Sequence, residues 1–171
     1  MKRLAVTLLI GLVLLARAGA PCGDARTAPA TDLVAVDEFI DAPRTLFGRT
    51  RAAVEQALGA PAAVQARMLP GGRTAATDTV DELTYPGLVI AVSRRSAGVR
   101  RVEVREPRWI LPRGLNVGAT RGRVEQALGE PQAMTDASVL YLYSDAYPDT
   151  VEFYFRDGRV HRIEWLYAPP D

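Results

Sequence analysis

The chain has 171 residues, 48% hydrophobic and 24% charged, with a formal net charge of +1. That is an ordinary globular composition, long enough for a real core, and the near-neutral balance argues against a nucleic-acid binder, which needs a clear basic excess. A lone cysteine, Cys22, excludes an intramolecular disulfide, and a lone histidine, His161, leaves zinc chemistry without a ligand set.

The N-terminus reads as a secretory leader over residues 1–20. Met1-Lys2-Arg3 is a short basic start, Leu4 to Ala16 is apolar but short for a membrane span, and small residues follow at Ala18 and Ala20. Residues 21–32 are small, polar and proline-containing, the composition of a flexible tether. Cys22 sits where a lipoprotein cysteine would sit. The branched and small residues that lipid attachment wants before it are here Gly19 and Pro21, so a bare thiol is the favoured reading and lipidation the alternative. The expected location is outside the cytoplasm, in the periplasm or at the outer membrane, with membrane contact only if Cys22 is lipidated.

Leu33 to Ile40 carries a short apolar pattern that fits a leading strand or one helical turn. Next comes a segment that occurs twice. Gly48 to Pro61 (GRTRAAVEQALGAP) returns as Gly118 to Pro131 (GATRGRVEQALGEP), with ten of fourteen positions identical. In each copy a threonine (Thr50, Thr120) can cap a helix. Val54 with Leu58, and Val124 with Leu128, share one helical face. Gly59 and Gly129 fit a positive-φ stop, and Pro61 and Pro131 prevent continuation. Both helices are too short to stand without packing.

After the first helix, Ala62 to Met68 admits a short helix or a strand. Residues 82–85 and 88–92 read as strands around the Pro86-Gly87 turn, and 99–104 as a third strand. Trp109-Ile110-Leu111 marks a junction. In the second half, strands are expected over 139–143, 150–155 and 160–165, with a hairpin at Asp157-Gly158. Val160 and Ile163 have opposite parity, so burying both requires a bulge or a sheet covered on both faces. The expected architecture is α+β: two tandem helix-plus-antiparallel-sheet repeats, residues 33–107 and 108–171, packed on each other around the junction.

The repeated helix signature, a strand ending in tyrosine, and Phe153-Tyr154-Phe155-Arg156-Asp157-Gly158-Arg159-Val160 resemble the SmpA/OmlA domain of the outer-membrane assembly lipoprotein BamE. Two such segments in tandem also resemble the β-lactamase inhibitory protein. The resemblance covers about Leu46 to Tyr167. It implies a helix-plus-sheet fold and a role in binding another protein, either in outer-membrane assembly or as an enzyme inhibitor.

Catalytic arrangements are poorly supported. His161 aligns with Arg100, a polar position expected to face solvent, and a triad with Ser138 or Ser144 has no pattern behind it. Gly71-Gly72 lacks the context of a phosphate loop, and Asp145, Asp149 and Asp157 lack calcium-loop spacing. No cofactor or metal is expected. Arg94-Arg95 and Arg100-Arg101 read as solvated strand and turn edges. Aromatic residues crowd the second half, and Tyr141, Tyr143, Tyr154 and Trp165 are the candidate partner-binding residues. The functional expectation is a non-catalytic envelope protein that binds another, unidentified envelope protein through its sheet faces, with a periplasmic or secreted enzyme inhibitor as the alternative.

Overall fold

A computed structural model describes residues 30–69, 77–143 and 149–168. The leader, Cys22, most of the tether and Ser144 lie outside these residues. The chain runs α1 (Leu33–Phe47), α2 (Arg51–Leu58), β1 (Ala63–Leu69), β2 (Asp78–Tyr85), β3 (Leu88–Ser93), β4 (Val99–Val104), a 3-10 turn (Pro112–Gly114), α3 (Arg121–Leu128), β5 (Ala133–Met134), β6 (Ser138–Leu142), β7 (Thr150–Arg156) and β8 (Arg159–Leu166).

The expected division into two helix-plus-sheet repeats is overturned. All eight strands form one antiparallel sheet in the order β1-β2-β3-β4-β8-β7-β6-β5. The joint is the β4–β8 ladder, in which Val102 faces Trp165 and Glu103 faces Glu164. The fold is sheet-dominated, with the three helices on one face, and a single hydrophobic core runs across the joint. Trp109-Ile110-Leu111 is not the packing seam. Leu111 is buried in the core and Ile110 is exposed. Trp109 packs on the core's margin, edge-on to Phe47 at 5.5 Å, while donating its indole N–H to the Pro86 carbonyl at 3.0 Å.

Helix α1 corrects the reading of 33–40, extending over 15 residues, just over four turns. Val36, Phe39, Ile40, Pro43 and Phe47 are buried at helical spacing, and the Asp32 carboxylate caps the N-terminus by accepting from the Ala35 N–H. Pro43 lacks the N–H that would bond the Phe39 carbonyl four residues earlier. The buried Trp165 indole donates to that carbonyl instead, at 3.1 Å. Phe39 stacks on Phe153 at 5.4 Å and lies 5.5 Å from the Trp165 ring. One helix therefore anchors the middle of the sheet.

The duplicated segment forms α2 and α3 with matching ends. Thr50 and Thr120 accept from the N–H three residues on, each at 3.3 Å. Gly59 and Gly129 stop the helices at φ of 80° and 78°. The buried Tyr85 and Tyr141 hydroxyls donate to the Gly59 and Gly129 carbonyls at 3.0 and 2.9 Å, satisfying groups the helix ends leave open. Thr120→Ala is expected to cost about 1 kcal/mol while Thr120→Ser costs less, read from chemical denaturation. A Thr120→Ala loss indistinguishable from zero would show that the cap contributes nothing.

The segment left open at 62–68 is the edge strand β1. The parity conflict at Val160 and Ile163 resolves as a bulge: Tyr154 pairs with Arg162 but Phe155 pairs with Val160, leaving His161 as the extra residue. The same shift occurs in β4, where Ala91 pairs with Arg101 and Val92 with Val99, so Arg100 is extra. Val99, Val102, Val160 and Ile163 are consequently all buried beneath the helices.

Candidate functional site

The register places alternate strand residues on the face that, among the described residues, carries no helix. Across it run two rows. One is Glu82, Ala91, Arg101, Leu166, Thr150 and Leu142; the next is Thr84, Val89, Glu103, Glu164, Glu152 and Leu140. Three glutamates thus stand abreast on β4, β8 and β7. Like charges directly opposite one another across strands repel, and arginines on both sides offset them. Arg101 bonds Glu82 at 2.5 Å and lies 3.7 Å from Glu164. Arg105 bonds Glu103, and Arg162 lies 3.9 Å from both Glu103 and Glu164. Burial pushes the Glu164 carboxyl above its ordinary range; Arg101 and Arg162 oppose that shift, and Glu103 and Glu152 add to it.

Tyr154 sits in this lattice. Its hydroxyl donates to Glu152 at 2.6 Å, and the Arg162 guanidinium stacks over its ring at 3.7 Å. Burial, and then the bond to Glu152, push the phenol well above its usual range, so it remains a neutral donor. The side-chain Nε atoms of Arg101 and Arg162 are buried and have no partner. Among the described residues, no group of three or more His, Cys, Asp or Glu is arranged to hold a metal ion.

The four tyrosine and tryptophan candidates separate. Tyr154 lies on the helix-free face. Tyr143 is exposed at the end of β6, beyond the lattice. Tyr141 and Trp165 are corrected: both are fully buried beneath the helices and present no surface to a partner. A signal was available for both, since Tyr141 shares parity with Val139, and Trp165 with Ile163. The residues sequence reading missed are the glutamate row and its arginines. Their trace is an Arg-x-Glu step that recurs as Arg101 to Glu103 and Arg162 to Glu164.

Arg100 is also corrected. It is buried, with its guanidinium on Asp78 at 2.9 Å and on the Tyr167 carbonyl at 2.8 Å, while Ser93 donates to Asp78 at 3.0 Å. Burial lowers its pKa and Asp78 opposes that shift. His161, at the matching bulge, has its pKa lowered by burial and by Arg156 and Arg162. Ser138 is buried against Thr135, with the two hydroxyls 3.1 Å apart.

Among the described residues no helix is long and apolar enough to cross a membrane. No protein-family model matches the chain, and no curated protein matches it. A solved structure of the uncharacterized protein yfeY from Escherichia coli is similar over 67% of this chain and 86% of its own, at 15% identity and a TM-score of 0.43. A likeness at that level transfers no role.

Proposed function

We propose that this chain is a non-catalytic protein of the cell envelope that holds another protein against the helix-free face of its sheet. The observation that carries this reading is the lattice itself. Four glutamates and four arginines, with Tyr154 among them, are paired on a broad sheet surface that no helix covers among the described residues. Charged side chains held by one another lose less entropy when a partner arrives than free ones do, and a tyrosine in their midst supplies apolar area with a donor. The face is mixed in sign, so it suits a protein partner better than a polyanion. The basic, apolar and small-residue order of the leader supports an envelope location.

Capture from an envelope fraction tests the reading. The wild type is expected to retain a defined protein, and Tyr154→Ala to weaken its retention by about tenfold or more. Equal retention by the folded variant would remove this face from the interaction. A panel of periplasmic hydrolases separates an assembly or scaffold role from inhibition, because only an inhibitor would lower one of their rates.

A further inference from the structure

Strand β1 forms one margin of the sheet. Its seven residues are exposed or, for Leu69, partly so, and among the described residues nothing pairs with its outer side. The opposite margin, β5, is only two residues long. Unpaired strand edges recruit other strands unless charge, proline or a bulge blunts them. Here the one charge is Arg67; it stays exposed but is held by its own chain, with Nε 3.4 Å from Glu82 and a guanidinium nitrogen 3.2 Å from the Gln65 amide oxygen.

The register with β2 fixes the faces of β1. Val64, Ala66 and Met68 lie on the helix side with Leu83, Asp81 and Thr79; Gln65 and Arg67 lie on the helix-free side with Glu82 and Val80. Val64 and Met68 are exposed apolar residues, at 44% and 76%. About Ala66 the strand reads alike in both directions: a polar residue one step away, an apolar one two steps away.

We propose that β1 pairs antiparallel with β1 of a second copy of this chain, about a twofold axis through Ala66. A twofold contact requires a self-complementary patch, and this strand supplies one. Val64 meets Met68 of the second copy and Gln65 meets Arg67, so no like charges stand directly opposite, and Ala66 faces Ala66 where close approach is needed. An axis normal to the sheet keeps the two helix-free faces on the same side, giving one sixteen-stranded surface. The molecule already contains a joint of this kind in β4 and β8, where the matching residues Glu103 and Glu164 face each other. The contact is centred on β1, at the far margin of the sheet from Tyr154 on β7, so Tyr154→Ala leaves it intact.

Sedimentation velocity on the full protein tests this from about 1 μM to about 1 mM, a range suited to an interface below the standard ~1,600 Å² class. The wild type is expected to shift from monomer to dimer. Ala66→Glu and Ala66→Lys each place like charges across the axis and are expected to weaken the dimer more than about tenfold. An equimolar mixture of the two restores it. Ala66 is exposed, so neither substitution removes buried packing, and circular dichroism checks that each variant is folded before its dimerisation is read. A wild type that stays monomeric throughout, either variant dimerising at wild-type strength, or a mixture of folded variants that stays monomeric would each overturn the proposal.

Discussion

Trp165→Ala is expected to destabilise the protein by about 4–5 kcal/mol, the upper part of the range for deleting a large buried aromatic. Two losses combine. The cavity opens at the centre of the sheet, where Trp165 pairs with Val102 on β4 and Val151 on β7 and lies under Phe39 of α1. The Phe39 carbonyl, which Pro43 cannot serve, also loses the indole donor and is left as a buried acceptor without it. With total stabilities of about 5–15 kcal/mol, such a loss leaves a marginal fold. Trp165→Phe keeps most of the ring and removes the N–H, so about half the penalty should remain. Denaturant midpoints measure both. A loss under about 2 kcal/mol for the alanine variant would mean that α1 does not depend on this contact.

Arg100→Ala is expected to cost about 3–5 kcal/mol, because it leaves Asp78 buried without its cation and the Tyr167 carbonyl without the guanidinium. Both side chains of the pair are more than nine-tenths buried, at 7% and 8% exposure, so solvent screens them little. Asp78→Ala should cost a similar amount for the complementary reason. The double variant should cost less than the two single losses combined, since removing both charges leaves neither stranded. Strict additivity in that cycle would show that the two groups do not act as a pair. The contrast with surface pairs such as Arg51 with Glu55 is one of environment: those sit in water, which screens the attraction and leaves little net gain.

Much of the local structure was legible in the chain. The threonine, the Val–Leu stripe and the glycine–proline stop specify α2 and α3 because capping, facial periodicity and termination act within a few residues. Asp157 and Gly158 adopt positive φ, at 52° and 71°, as a tight hairpin requires. Even the bulge was implied, since Val160 and Ile163 cannot otherwise face the same core. Helix α1 was harder to read: its apolar run is short as far as Ile40, and Pro43 argues against continuation unless another group takes the freed carbonyl.

The site divided along the same line. Tyr154 was placed correctly by its parity against Phe153 and Phe155, whereas Tyr141 and Trp165 were drawn to the surface by residue type although their parity pointed inward. The glutamate row left only the repeated Arg-x-Glu step as its trace. Glu103, Glu152 and Glu164 lie far apart along the chain, and each alone is an ordinary polar residue of a half-buried strand.

By itself, then, the sequence determined α2 and α3, the turns around them and the parity conflict that a bulge resolves, all of them consequences of interactions between near neighbours. Only the tertiary structure decided that the two duplicated segments share one sheet instead of packing as separate units. That choice rests on backbone hydrogen bonds between β4 and β8, and a backbone group bonds the same way whatever side chain it carries. The strand pairing then brought the glutamates and arginines together on one face and left β1 as a free edge.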